Sequence, residues 1–318
     1  MDKRLIVIVI GFLLISCSFT APNIYAVSTP DLDKAVNYLM ANYNSTIGLI
    51  PEVPNGNTYW LLSDNFLAYP VLKYYDPSNT TLTSTANNIS STLSYYMNEY
   101  GLPSINQYNI LLGYTPSFND SLTYGIVTNG YTVKIHLNNG TAILSPYQYA
   151  DIAFLYALYT YRLGDVQGAI NLFDIGANMY DGKGFNDLPF REGESQGVYQ
   201  TYKLALYYMV GYVLARQVPN SVSERITDLQ ALDGGFYTGY LPNGTIPIGV
   251  TTNTETTSLV VYAYSPKIIE TYFDRTLALS YGFQEESFDL SYALLYYIAP
   301  VIAIIGIFAG VVCIKRNI

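Results

Sequence analysis

Along most of this chain apolar residues recur at three- and four-residue intervals, the spacing of helices that bury one face. Thr29-Pro30-Asp31 opens the first stretch, with proline in the first turn and an acid beside it, and the pattern runs to about Met40. A second helix is expected from about Asp64 to Tyr74, bent or broken at Pro70, and a third from about Thr83 to Tyr100, stopped by Gly101. Ser145-Pro146 opens a long apolar-rich helix that Gly164 closes, and Asp165 caps the next, to about Met179. Further helices fit Gln196 to Gln217, Ser221 to Leu232 and Thr254 to Tyr264.

One stretch has the other period. Tyr124 to Leu144 alternates β-formers, as in Tyr131-Thr132-Val133-Lys134-Ile135-His136-Leu137, and is punctuated by Asn129-Gly130 and Asn139-Gly140, the dipeptides of two-residue hairpin turns. It reads as a small β-insertion between helical hairpins. A shorter hairpin is expected at Gly235 to Gly249, turning at Asn243-Gly244.

The two ends carry a different pattern. Lys3 and Arg4 precede an unbroken apolar run from Leu5 to Ile15, and a polar stretch then ends at Ala26, the order of an export signal over residues 1–26. Leu14-Ile15-Ser16-Cys17 also resembles a lipobox, in which Cys17 would carry a lipid. From Leu290 to Ile314 no residue is charged, and Lys315-Arg316 follow. Such a run spans a hydrocarbon core of about 30 Å, which takes about 20 helical residues, and its basic end belongs on the cytoplasmic side. The expected organisation is an extracellular domain over 27–287, a transmembrane helix over 288–314 and a cytoplasmic tail over 315–318. Gly306 and Gly310, four apart in that helix, present the small-residue spacing that lets two membrane helices approach, and so suggest a homodimer.

Setting aside Lys3, Arg4, Lys315, Arg316 and Asp2 leaves 11 basic and 23 acidic residues, a formal charge of −12 on the domain outside the membrane. That balance argues against a nucleic-acid partner, which needs clustered Lys and Arg. Charged residues make up only 12% of the chain while tyrosine alone supplies 34. Replacing charge by neutral polar groups suits the outside of a cell at low pH, where excess Lys and Arg would repel one another, and points to an acidophilic, archaeal-type source. Cys17 and Cys313 lie in the two terminal segments, so the domain has no disulfide to staple it. Six Asn-x-Ser/Thr sequons, at Asn44, Asn79, Asn88, Asn119, Asn139 and Asn243, agree with an exported glycoprotein.

Beneath the helices runs a weak repeat. Gly48-Leu49, Gly184-Phe185 and Gly234-Gly235-Phe236 each precede a polar loop and then a helix. Helical hairpins that cannot bury their faces alone must pack side by side. The phrases Asp233-Gly234-Gly235-Phe236 and Asn253-Thr254-Glu255-Thr256-Thr257-Ser258-Leu259, with Asn57-Thr58-Tyr59-Trp60 and Asp64-Asn65, resemble the α/α toroids of six-hairpin glycosidase-type proteins, over residues 31 to 264. The resemblance implies a mainly α fold, a toroid of helical hairpins that is short of complete, with the β-hairpin as an insertion. The related terpenoid-cyclase toroids share the glycine-aromatic turns, but no Asp-Asp-x-x-Asp motif for a metal-bound diphosphate occurs.

In such a toroid the starts of the inner helices and their preceding loops line one open face, where Asp64, Glu192, Glu194 and Glu255 would converge. Glycoside hydrolysis sets two carboxyls about 5–9.5 Å apart across the scissile bond. Asp64, Glu255 and Glu192 are therefore the catalytic candidates. Trp60, Asn65, Tyr199, Tyr202 and Phe236 are the candidates for holding a polysaccharide or other glycan. Structural roles compete with these: Thr252-x-x-Glu255 matches a capping box, Asp64 sits where an acid complements a helix dipole, and Trp60 fits a core. No cofactor is implied. His136 is the only histidine and has no cysteine beside it in the domain, so no zinc site is expected, and Asp181, Asp187 and Glu192 lack the spacing of a Ca²⁺ loop. A non-catalytic envelope or adhesion protein that uses the helical scaffold as a spacer is the alternative, since one scaffold hosts many functions.

Overall fold

The computed structural model describes residues 29–56, 59–99, 107–120, 122–128, 131–137 and 140–279, and these are mainly helical with a few short strands. The export signal, Cys17, Asn57, Thr58, Asn139, the apolar run from 290 to 314 and the Gly306–Gly310 pair lie outside the described residues. Among the described residues no helix is long and apolar enough to cross a membrane.

Helix α1 (Leu32–Asn42) starts at Asp31, whose carboxylate accepts from Lys34 N at 3.1 Å, so Pro30 lies just before the cap and not inside the first turn. Strand β1 (Tyr59–Leu61) runs directly into α2 (Leu62–Tyr74). Helix α2 passes through Pro70 without a break. The proline removes one intrahelical bond, and the burial of Leu67, Ala68, Val71 and Leu72 around it outweighs that loss. Asn79 caps α3 (Thr80–Glu99) by accepting from Thr81 N and Leu82 N, three residues earlier than the apolar spacing suggests. A 3-10 segment (Gln107–Leu112) follows.

The β-insertion is present. Strands β2 (Leu122–Thr128) and β3 (Tyr131–Leu137) are antiparallel, with Thr128 opposite Tyr131. Strand β1 joins them in parallel, Trp60 beside Val133, in the order β1-β3-β2. A three-residue strand has no alternation to read, so only the fold reveals it.

Helices α4 (Ala150–Arg162) and α5 (Val166–Ala177) form a hairpin. It turns at Gly164 (φ +89°), and Asp165 caps α5 by accepting from Gly168 N at 2.8 Å. Ser145-Pro146 makes a turn ahead of α4 instead of starting it. The one-turn helix α6 (Leu188–Arg191) and strand β4 (Tyr199–Gln200) lead into α7 (Thr201–Val213). This helix is shorter than the sequence suggests because Gln196, Gly197 and Ala215 all take positive φ, which stops a helix at both ends. Then come α8 (Asn220–Asp228), the two-residue strands β5 (Phe236–Tyr237), β6 (Gly239–Tyr240) and β7 (Thr252–Asn253), α9 (Thr254–Ala263) and α10 (Pro266–Tyr272). The Asn243-Gly244 turn forms, Leu241 N donating to Thr245 O, and its arms meet further out, where Thr238 N donates to Thr251 O and β5 runs antiparallel to β7. Strand β5 pairs with β7, and β6 with β4.

Helix α9 packs between α2 and α7, α7 packs on α4, and the 3-10 segment bridges α4 to α2. These four helices are apolar on nearly every side, as buried helices must be. Against them lie the amphipathic helices: α3 on α2, α5 on α4, α8 on α7, and α1 and α10 on α9. The centre of the α4–α5–α7 contact is aromatic. Phe154 stacks on Tyr207 at 5.2 Å between centroids, with Phe173 and Phe185 edging in. Gly176 of α5 admits that ring, because a Cβ there would stand 2.6 Å from Phe154. The chain's beginning is tied to its end. Asp31 N donates to Gln230 Oε1 at 2.8 Å and Gln230 Nε2 donates to Asp31 O, 199 residues apart, while Thr254 Oγ1 donates to Pro51 O across 203 residues.

Candidate functional site

Each of the four buried helices, α2, α4, α7 and α9, begins from an extended residue: Leu61, Tyr149, Gln200 and Asn253. The first three have no side-chain cap of their own, and at α4, α7 and α9 a neighbouring loop supplies a partner. Ala150 N of α4 donates to Asp187 Oδ2 at 3.2 Å, Thr201 N of α7 to Thr238 O, and Thr254 N of α9 to Glu52 O. The polar loops of the sequence repeat thus sit over the helix starts, and the first turns carry the charged residues.

Asp64, in the first turn of α2, is only 1% exposed. Ser63 Oγ lies 3.4 Å from its Oδ1, and its Oδ2 has no hydrogen-bond partner among the described residues. Burial pushes its carboxyl well above the usual range, and the nearby charges of Glu255 and Glu52 push the same way. Glu255, in the first turn of α9, is half-buried and accepts from the Tyr108 hydroxyl at 2.8 Å. Burial raises its carboxyl too; the Tyr108 hydrogen bond opposes that, and Glu52 and Asp151 add to it.

Asp151 of α4 and Lys203 of α7 continue this line of polar groups. Lys203 is 2% exposed, and its Nζ lies 2.5 Å from Asp187 Oδ2 and 3.9 Å from Asp151 Oδ1. The Tyr202 hydroxyl donates to Asp151 Oδ2 at 3.2 Å. Burial raises the Asp151 carboxyl, Lys203 holds it down, and Asp187 adds to the rise. Tyr108 and Tyr202 are pushed well above their ordinary range by burial and by these acids, so both stay protonated donors. A cleft of about 370 Å³ opens over this end, lined by Tyr149, Asp151, Glu194, Gln200, Tyr202 and Lys203 among others.

Of the residues singled out in the sequence, Asp64 and Glu255 come within electrostatic reach of each other, and Tyr202 faces the cleft. Glu192 does not join them. It is exposed at the C-terminal end of α6, and its neighbour Glu194 is the one that lines the cleft. Trp60 is 1% exposed, on a strand inside the core, and presents no ring to a ligand. Phe236 is fully buried. Tyr199 is buried, stacks on Phe190 at 4.2 Å and donates its hydroxyl to Asp181. Asn65 is a structural tie: its amide pins Ile50 through both N and O and also binds Leu61 O. The capping box at Thr252 is replaced as well. Asn253 caps α9 by accepting from Thr256 N at 2.8 Å, which leaves Glu255 to Tyr108.

Asp151, Lys203, Tyr108 and Glu52 escape the sequence reading. A signal for the first two exists: Lys203 is the lone charge of its helix and Asp151 the lone acid of α4, both in helices otherwise apolar on nearly every side, and a charge buried there must be paired. Among the described residues no group of three His, Cys, Asp or Glu is placed to hold a metal ion, and Asp181 and Asp187 serve Tyr199 and Lys203 separately. Of the sequons, Asn243, Asn79 and Asn88 are exposed, whereas Asn119 commits its amide nitrogen to Gly140 O at 2.9 Å. Asn44 is half-buried and accepts from Thr46 N and Ile47 N. No protein-family model matches this chain, and no curated protein or solved structure is significantly similar to it.

Proposed function

We propose that this chain is a membrane-anchored extracellular carbohydrate-active or carbohydrate-binding protein, its helical hairpins forming a short α/α toroid with the glycan site in the cleft over α4 and α7. The observation that carries this reading is the gathering of Glu255, Asp151, Tyr108 and Tyr202 at the shared starts of the buried helices, beside a cleft rich in hydrogen-bonding groups. Glycoside hydrolysis needs one carboxyl that keeps its proton and one that gives it up. Burial raises both carboxyls, but Lys203 beside Asp151 holds that one down, so Glu255 suits the acid and Asp151 the partner.

The test is a panel of polysaccharides incubated with the full-length protein in detergent at acidic and at neutral pH, with release of reducing ends as the readout. Turnover is expected, and Glu255→Gln and Asp151→Asn should each lower it by about 10²–10⁴-fold, the worth of a positioned acid or base. Glu192→Gln should leave it unchanged. Absence of turnover and of retention on every glycan would support the second reading, a non-catalytic envelope or adhesion spacer. That reading draws on the burial of Asp64, Trp60 and Phe236 in the core.

The anchor in this proposal is the uncharged run from Leu290 to Ile314, with Lys315-Arg316 inside the cell. Protease added to intact cells should then degrade an epitope placed in the exposed Asn243-Gly244 turn and spare a tag after Ile318. Loss of the C-terminal tag would reverse the orientation. Gly306 and Gly310 remain the proposed dimer contact within the anchor.

A further inference from the structure

A second concave surface lies away from the acids. It is a pocket of about 290 Å³ between α2, α3 and α10, lined by Tyr69, Tyr74, Tyr114 and Tyr272 together with Ser90 and Ser94 of α3. It shares no lining residue with the cleft over α4 and α7, so the two are separate.

Its chemistry also differs. Among the described residues that line it none is charged. Lys73 stands next to the wall, donates to the Tyr69 hydroxyl at 2.6 Å and lies 5.0 Å and 5.5 Å from the Tyr69 and Tyr74 ring centres. That contact orients both rings. Tyr272 is held edge-on to Tyr74 at 6.1 Å between centroids. Tyr114 is 61% exposed, a large aromatic ring left open to solvent at the edge of the pocket. Oriented rings, two serine hydroxyls and an uncharged wall define what fits. A pyranose offers a C–H face to stack on a ring and hydroxyls around its edge, and an uncharged wall disfavours acidic and basic ligands, which would lose hydration without gaining a partner.

We infer that this pocket is a second binding site, for a neutral saccharide chain. It rests on the tyrosines and serines alone and not on the acids of the cleft. The experiment is calorimetric titration of the full-length protein in detergent with maltohexaose, cellohexaose and mannohexaose. At least one should bind the wild type. Tyr114→Ala should weaken that binding about tenfold or more, a loss of stacking at a position too exposed to disturb the fold. Ser94→Phe, from an exposed position on α3, should block the pocket and remove the binding that Tyr114→Ala weakens. Melting curves of both variants should match the wild type. Binding by Asp151→Asn and Glu255→Gln should persist, which separates this site from the cleft. Three results overturn the inference: no heat with any of the three sugars, unchanged binding in both Tyr114→Ala and Ser94→Phe, or binding lost only in the cleft variants.

Discussion

Replacing Lys203 with methionine should destabilise the protein by about 3–5 kcal/mol, the cost of leaving buried carboxylates without their cation. The position concentrates that cost. Lys203 and Asp187 are 2% and 1% exposed, and Asp151 is 8% exposed. Asp187 also receives the first N–H of α4, so repulsion between the two acids bears directly on a helix start. The measurement is denaturant unfolding of full-length protein at neutral pH, followed by helical signal. Lys203→Met combined with Asp187→Asn should recover much of the loss, because asparagine keeps an acceptor for Ala150 N without the charge. A single variant within 1 kcal/mol of wild type would show that the pair carries little of the fold's stability.

Asp64→Asn should have the opposite sign at neutral pH. It should stabilise the protein at pH 7 by about 1–3 kcal/mol, because asparagine is neutral in both states while the aspartate must take up a proton on folding or bury an unpartnered charge. Burial, Glu255 and Glu52 raise the Asp64 carboxyl far above the ordinary aspartate value of 3.8. The folded state therefore binds more protons than the unfolded one over the interval between that value and the raised one. Stability is fully present below the ordinary range and is lost as pH rises through the folded value. Glu255 and Asp151, also raised, act in the same direction. Asp181 acts in the other. Burial works against it, but the Tyr199 hydroxyl and the N–H groups of Gly184 and Lys183 hold it below 3.8, so its contribution fades in strong acid. Thermal melts from strongly acidic to neutral pH should show greatest stability on the acid side and a decline toward neutrality, and the decline should be shallower in Asp64→Asn. A wild-type curve that climbs toward neutral pH would refute this account of the buried acids.

Local chemistry was readable in the sequence where it acts over a few residues. Asp165 as a cap, Gly164 as a turn and the Tyr131–Leu137 alternation all depend on neighbours within one element. Pairing between distant segments was not readable: β1 with β3, and β4 with β6. The candidate site divides the same way. The loop-to-helix junctions rightly drew attention to Asp64 and Glu255, yet an aromatic beside such a junction has no local sign of whether it faces core or cleft. Trp60 and Phe236 went to the core, and Tyr202 to the cleft. Asp151 and Lys203 sit inside apolar helices, where the pattern that identifies the helix hides the charge.

The bonds from Asp31 to Gln230 and from Pro51 to Thr254 bear on how the chain reaches its final form. A ribosome delivers the N-terminal part first. Helix α1 therefore emerges about 200 residues before the segments that will cover it. Until α9 has been made, the apolar face of α1 lacks its main partner, and closing so long a loop is slow compared with forming any single hairpin. The hairpins assemble as they appear, and the seam between first and last segments is the final step, so a nascent chain that stops short of Thr254 exposes sticky surface at its oldest end.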